Sequence, residues 1–308
     1  MNSPAVRMLV MLAMGFATLD LSAATVFIHD ATVYTMATPP LLQGADILVR
    51  DGHIAAIGRG LKAPANATVV EGSKRPVTPA FFAGITALGL EEISLEQSTA
   101  DQALHFDKMR PEFDVSVAYN PFSAAIPVTR IEGYGWTLLS ASRSGSIIGG
   151  LGRAVSLDGA YDSFLSAPVL FVGLGSQTSE LSGNSRAAQF MLLNQAMEES
   201  HSAMAWSPDA LLTAEGRRVL AGYTGGNVVV FDVDRASDIL QELAFSAHNT
   251  LTPVIMGGAE AWMVAEPLAE AGVPVVLDPL VNLPGSFDQL GARLDNAAIL
   301  HSAGVTIA

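Results

Sequence analysis

The chain has 308 residues, of which 30 are acidic and 16 are basic, giving a formal net charge of −14. Half of the residues are apolar and 15% are charged, which excludes an intrinsically disordered chain and is typical of a well-buried globular protein. The acidic balance argues against nucleic acid and anionic membrane surfaces as partners. Since the length exceeds the roughly 100–200 residues of an ordinary domain, we expect two domains or one large barrel.

Residues 1–24 have the pattern of a cleaved secretory signal peptide. Arg7 supplies a positive charge, an apolar run follows over residues 8–17, and the segment ends on Ser22, Ala23 and Ala24. The run is shorter than the roughly 20 residues that span a bilayer, and no later segment is a continuous spanning helix. We expect a periplasmic or secreted protein with no membrane span. The alternative is a buried N-terminal helix of a cytosolic protein.

Residues 25–78 are predicted to form a small β-sandwich module. The segments "TVFIHDATVYTM", "GADILVRDGHIAAIG" and "ATVVEG" have the composition of short strands. Asp51 and Gly52 predict a tight hairpin turn inside the second segment. The chain contains no cysteine, so export brings no disulfides to this module.

Residues 79–308 show a different pattern, in which apolar strand-length runs alternate with amphipathic helical segments. The strand runs are "GWTLLSAS", "APVLFVGL", "NVVVFDV", "TPVIMG" and "VPVVLDPL", and the helical segments begin at "NSRAAQ", "ASDILQ", "AEAWMV" and "FDQLGA". This alternation predicts parallel βα units and hence an α/β fold, a (β/α)8 TIM-type barrel. Subtracting 78 from 308 leaves 230 residues, below the roughly 250 of a complete barrel. We therefore expect a barrel that is incomplete at its C-terminus, ending in the strand "VTIA".

The stretch "VTPAFFAGITALGL", together with "GADILVRDGHIAAIG" before it, resembles the start of the amidohydrolase superfamily, in particular its imidazolonepropionase-like and prolidase-like exported branch. In that family the stretch reads Pro-Gly-Leu-Ile-Asp-x-His-x-His, followed by Leu-Gly. The segments "DVDRASDIL" and "GGAEAW" extend the resemblance, which is weak over residues 95–130. The resemblance implies a hydrolase of carbon–nitrogen bonds that uses a divalent metal such as Zn or Mn.

Other residues occupy the positions at which the resemblance places metal ligands. The two first-strand histidines fall on Ile85 and Ala87, the aspartate before them on Ala83, the fifth-strand histidine on Asp232 and the sixth-strand histidine on Gly257. Aliphatic side chains and glycine offer no lone pair to a divalent ion. All three lysines of the chain precede the fourth barrel strand, so none can bridge two metals there. The resemblance thus implies a substituted metal site, and no cofactor is expected.

Three carboxylates are the remaining candidates for chemistry. Asp232, Glu260 and Asp278 follow predicted strands, where barrel side chains converge. Asp232 and Asp278 are the weak catalytic candidates. The alternative for all three is a structural role, since acids at these positions commonly cap helices and hold loops.

Histidines, glycines and serines give weaker signals. His201, His248 and His301 lie near predicted helix ends, where a surface or capping role is expected. The glycines of "SGSIIGGLGRAVSLDG" lack the lysine of a phosphate-binding loop and are interpreted as turns. Ser144 and Ser146 are not in a nucleophile motif and are interpreted as loop residues.

We interpret the chain as an exported amidohydrolase-like protein that has lost its metal ligands and binds a small molecule or a partner, such as an active homologue or a second copy of itself. The first alternative is an active hydrolase of cyclic amides or small peptides that uses Asp232, Asp278 and a non-standard metal site. The second is a purely structural module of a larger polypeptide. The metal content of the purified protein separates the two main hypotheses.

Overall fold

The computed structural model describes residues 25–93, 96–106, 108–142, 146–202 and 207–308. The predicted signal peptide and Ser144 lie outside the described residues. The chain divides into two compact units, with the boundary between Pro79 and Ala80. Within the described residues, no helix combines the length and the apolar character needed to cross a bilayer.

The first unit contains five strands in one sheet: β1 (Val26–Tyr34), β2 (Leu41–Arg50), β3 (His53–Gly58), β4 (Thr68–Glu71) and β5 (Pro76–Val77). The sheet order is β3-β2-β1-β4, and β5 also pairs with β1. Asp51 and Gly52 both have positive φ, as the predicted hairpin turn between β2 and β3 requires. The described residues of this unit form one sheet with a small core, so the predicted sandwich, which needs a second facing sheet, is not confirmed.

The second unit has an α/β fold, as predicted. Its strands are β6 (Phe81–Thr86), β7 (Tyr134–Leu139), β8 (Ile148–Gly152), β9 (Ala154–Ser156), β10 (Val169–Gly173), β11 (Val228–Val233), β12 (Thr252–Gly257) and β13 (Val275–Val276). Its α-helices are α1 (Ala125–Ile131), α2 (Arg186–His201), α3 (Ala214–Ala221), α4 (Ala236–Asn249), α5 (Ala265–Ala271) and α6 (Asn296–Ser302). Helix α2 begins after Ser185, whose hydroxyl accepts a hydrogen bond from the backbone N–H of Ala188 and so caps the helix.

The second unit contains two sheets, whose strand orders are β6-β7-β9 and β13-β12-β11-β10-β8. The pairs β6–β7, β10–β11, β11–β12 and β12–β13 are parallel, as predicted. The last residues run beside β13, because the Val275 N–H donates to the Thr306 carbonyl at 2.9 Å and the Ala308 N–H donates to the Val275 carbonyl at 3.1 Å. A closed barrel is not seen among the described residues: β6 pairs with β7 alone in its sheet.

The glycine-rich segment 148–156 differs from its prediction as a series of turns. It forms the buried strands β8 and β9, which run antiparallel to β10 and to β7 respectively. At Gly152 an added Cβ would lie 1.8 Å from the carbonyl oxygen of Leu139, so only glycine permits this approach. These glycines serve close backbone packing, and the segment joins the two sheets.

Side-chain alternation divides the core of the second unit between the two faces of its parallel strands. One cluster joins strand residues such as Phe231 and Ile255 to helix residues such as Leu193 and Ile239. A second cluster, which includes Phe171 and Val230, lies on the opposite face. Burial on both faces explains why these strands are continuously apolar in the sequence.

Candidate functional site

A cavity of about 240 Å³ lies at the carboxyl ends of the parallel strands of the second unit. Its walls come from residues at or just beyond the ends of five strands, among them Ile85, Thr86, Ala87, Ser140, Phe171, Asp232 and Met256. Because parallel strands all end on the same side of the fold, side chains from distant parts of the sequence meet there. We refer to this space as the strand-end cavity.

Alternation along β11 places Asp232 in the strand-end cavity. Phe231 and Val233 belong to the cluster that packs against the helices, whereas Val230 belongs to the cluster on the opposite face. Asp232 shares the face of Val230 because side chains two residues apart on a strand point the same way. Met256 is its register partner on β12 and also lines the cavity.

The structure brings together three of the positions singled out in the sequence. Ile85, Ala87 and Asp232 all line the strand-end cavity. Ile85 and Ala87 are two residues apart, which is the spacing that puts both side chains on one face of an extended chain. Both residues of the first-strand motif therefore face the cavity.

Gly257 and Asp278 do not line the cavity. Gly257 is the register partner of Val233, has φ +89°, and an added Cβ would lie 2.8 Å from Oδ1 of Asp234. Met256, one residue earlier, occupies the cavity position. Asp278 is exposed, and its Oδ1 accepts the backbone N–H of Leu280 at 2.9 Å. A local turn therefore explains this acid, which lies apart from Asp232.

Gln102 contributes an oriented polar group that sequence reasoning did not identify. Its Nε2 donates to Oε2 of Glu91 at 2.9 Å. Since an ionised carboxylate can only accept, this contact fixes which end of the amide is nitrogen. The other end, Oε1, is buried and has no hydrogen-bond partner, and Gln102 lines the strand-end cavity. The residue lies in the irregular segment after β6, where no motif or periodicity marks it.

Comparison with solved structures identifies the fold. An amidohydrolase from Thermotoga maritima MSB8 superposes with a TM-score of 0.80 at 20% sequence identity, over 92% of this chain and 77% of that chain. The chain has an amidohydrolase fold. A prolidase complexed with N-methylphosphonate-L-proline gives a TM-score of 0.49 at 11% identity, over 92% and 77% of the two chains. A triazine hydrolase from Arthobacter aurescens gives 0.44 at 11% identity, over 92% and 70%. No family model and no curated protein sequence matches the chain.

In this amidohydrolase fold, the resemblance of the first strand implies a divalent metal at the strand-end cavity. The described residues that line the cavity do not fit one. Ile85 and Ala87 carry no donor atom, and Met256 offers only a thioether, which suits soft ions. Asp232 supplies a single carboxylate. Within the described residues, no group of three His, Cys, Asp or Glu side chains is arranged to hold a metal ion.

Glu260, the third carboxylate noted in the sequence, connects loops of the amidohydrolase fold. Its Oε2 accepts the backbone N–H of Ala236 at 3.1 Å, and its Oε1 accepts the backbone N–H of Gly291 at 3.0 Å. The first contact lies at the start of α4 and the second in the segment before α6. Both oxygens thus satisfy partly buried backbone donors, which accounts for this acid by structure alone.

An ion cluster connects the loop that follows β10 to three later parts of the chain. Arg186 contacts both Asp238, at 3.1 Å, and Asp288. Burial opposes ionisation of Asp288, but hydrogen bonds from Ser176 and the guanidinium of Arg186 lower its pKa below the usual value. Burial raises the pKa of Asp238 in spite of Arg186. Arg186, the first residue of α2, therefore joins that helix to Asp238 in α4 and to Asp288 in the segment before α6. Asp288 in turn accepts the backbone N–H of Ser176 in the loop after β10 at 2.6 Å.

The histidines near helix ends lie as predicted, in the last turns of α2, α4 and α6. His201 and His248 line an open cleft between the C-terminal ends of α2 and α4. The ring of His201 contacts the Met197 carbonyl at 2.8 Å and the Thr224 hydroxyl at 3.3 Å. These contacts give His201 a structural role at its helix end.

Proposed function

We propose that the protein is a member of the amidohydrolase superfamily whose metal site has been replaced, and that its strand-end cavity binds a small organic molecule. One observation carries this proposal: Ile85 and Ala87, at the positions of the family's first-strand ligands, face the same cavity as Asp232. The geometry of a ligand-binding site is retained while the donors for a metal are absent from these positions. A cavity of about 240 Å³ suits a small molecule better than a protein segment.

Hydrolysis through paired carboxylates finds no support in this geometry. Asp232 lines the cavity, but Asp278, its predicted partner in an active enzyme, is exposed and engaged with the N–H of Leu280. A single carboxylate with aliphatic neighbours can hold or orient a ligand. It does not provide the acid and base pair that metal-free hydrolysis requires.

The purified protein, expressed without residues 1–24 and dialysed against trace metals, is expected to contain well under one equivalent of zinc, manganese or iron, because Ile85 and Ala87 supply no donor. Elemental analysis measures this directly.

Small fragments detected by ligand-observed NMR should lose binding in Ala87→Phe, whose ring fills the cavity. The matched control is Ala298→Phe at an exposed position of α6. Stoichiometric tightly held metal, or fragment binding unaffected by Ala87→Phe, would contradict the proposal.

We also propose that the protein is exported, on the evidence of Arg7, the apolar run after it and the small residues that end at Ala24. The mature protein is then expected to begin near Thr25 and to occur in an extracytoplasmic fraction. Edman sequencing or intact mass of the cellular protein gives its first residue. Retention of Met1 on the mature protein would refute export by this route.

A further inference from the structure

A second cavity lies inside the core of the second unit, on the helix side of its larger sheet. Its volume is about 10 Å³, and the described residues that line it are all apolar, among them Leu170 and Phe231 of the sheet, Leu193 and Met197 of α2, and Phe245 of α4. A space of this size has room for about one water-sized sphere, but a water there would find no hydrogen-bond partner among these side chains. This space, which we call the core cavity, therefore favours apolar atoms.

An open cleft borders the core cavity at the C-terminal ends of α2 and α4. The two helices lie side by side, and the ring centroids of Phe190 and Phe245 are 6.4 Å apart. The cleft between their ends has a volume of about 410 Å³. Apart from Met197, the described residues that line it are polar: Asn194, Glu198, His201, Ser202, His248 and Asn249. We call this space the helix cleft.

Met197 separates the two spaces, because it belongs to the walls of both. On the other side of the core cavity, the N–H of Leu251 donates to the Ser246 carbonyl at 3.0 Å just after α4, and the side chain of Leu251 lines the core cavity. A methionine side chain is unbranched and has three rotatable bonds, so it changes conformation more easily than a branched side chain. Rotation of Met197 toward the helix cleft would join the two spaces.

We propose that the helix cleft and the core cavity together form a second binding site, for a small molecule with a short unbranched alkyl chain and an uncharged hydroxyl head. The alkyl chain passes Met197 into the core cavity, and the head stays in the helix cleft. A hydroxyl both donates and accepts, which matches the amide of Asn194, whereas a carboxylate head would lie near Glu198 and be repelled. This site does not depend on the proposed function of the strand-end cavity.

The test titrates the purified protein with 1-butanol, 1-pentanol and 1-hexanol and follows the methionine methyl groups by NMR. The signal of Met197, assigned by its loss in Met197→Leu, is expected to shift until it saturates. Each added methylene should tighten binding by about 4-fold, because it is buried in the core cavity. 1,6-Hexanediol should bind about 10-fold less tightly than 1-hexanol, since its second hydroxyl would enter the core cavity without a partner. Hexanoate should also bind less tightly than 1-hexanol.

Two variants at the walls of the core cavity should change the affinity for 1-hexanol in opposite directions, as measured by calorimetry on proteins shown to be folded by urea unfolding. Leu251→Phe fills the core cavity and should weaken binding by about 10-fold. Met197→Ala removes the side chain between the two spaces and should tighten binding by several fold. Met191→Ala, at an exposed position of α2, is the matched control and should bind like the parent.

Several results would overturn the inference. If the Met197 signal shows no saturable shift, or if 1,6-hexanediol binds as tightly as 1-hexanol, the alkyl chain does not enter the core cavity. Unchanged or weaker binding of 1-hexanol by folded Met197→Ala has the same meaning, and this variant decides the question if Leu251→Phe does not fold. Hexanoate binding as tightly as 1-hexanol would refute the uncharged head.

Discussion

Replacement of both Ile85 and Ala87 by histidine is expected to create a zinc site in the strand-end cavity. The two side chains lie two residues apart and line the same cavity as Asp232, so two imidazoles and one carboxylate would converge. We expect the affinity for Zn²⁺ to rise by about 100-fold or more over the parent, which is ~3 kcal/mol of binding free energy. Calorimetric titration of the folded double variant measures the gain.

A fourth ligand belongs at Met256 rather than at Gly257. Met256 is the register partner of Asp232 and lines the cavity, so Met256→His should strengthen the zinc site further. Gly257→His should instead destabilise the protein, because φ is +89° and a Cβ would lie 2.8 Å from Oδ1 of Asp234. Adding Asp232→Asn to the double variant is the control and should reduce zinc affinity. Folded variants that bind zinc no better than the parent would show that Ile85 and Ala87 do not occupy ligand positions.

The stability of the protein is expected to fall as pH rises from about 4.5 to 7 because of Glu242 on α4. This side chain is fully buried, and one of its oxygens has no hydrogen-bond partner. Burial raises its pKa from 4.5 to about 7, and the hydrogen bond from Ser246 offsets only part of that effect. Between about pH 4.5 and 7, the carboxyl of Glu242 keeps its proton in the folded state and has released it in the unfolded state. The stability associated with this proton is complete below pH 4.5 and is lost as pH passes through 7, a difference of about 3 kcal/mol.

Glu242→Gln removes this titration while preserving the shape of the side chain. The variant should therefore unfold at a higher denaturant concentration than the parent at pH 8, and the difference between them should shrink toward pH 5. Urea unfolding at a series of pH values follows both proteins. Glu266→Gln, at an exposed position of α5, is the matched control and should track the parent. Equal pH dependence in Glu242→Gln and the parent would mean that Glu242 is ionised in the folded state.

The main features predicted from sequence are those set by local patterns. The parallel pairs could be predicted because strands buried on both faces are continuously apolar and show no polar alternation. The hairpin could be predicted because Asp51 and Gly52 both accept positive φ. Ile85 and Ala87 both face the strand-end cavity, in agreement with their spacing of two residues along an extended chain.

The features that were missed depend on contacts between distant segments. A glycine required by a turn and one required by a close neighbour have the same letter, so the strand at Gly152 could not be distinguished from a loop. The choice between Met256 and Gly257 depends on which face of β12 meets the cavity, and a shift of one residue reverses it. Gln102 becomes part of the cavity through tertiary placement alone. Likewise, Glu242 is polar in a sequence that gives no sign of its complete burial.

The segment 148–156 has a consequence for how the second unit loses its structure. Its first half forms the edge beside β10 and its second half forms the edge beside β7, with a single residue between them. If this segment detaches, β10 and β7 each lose one strand partner in the same event. The two sheets therefore do not have independent stabilities, and local opening at either one is coupled to the other through nine residues of shared backbone.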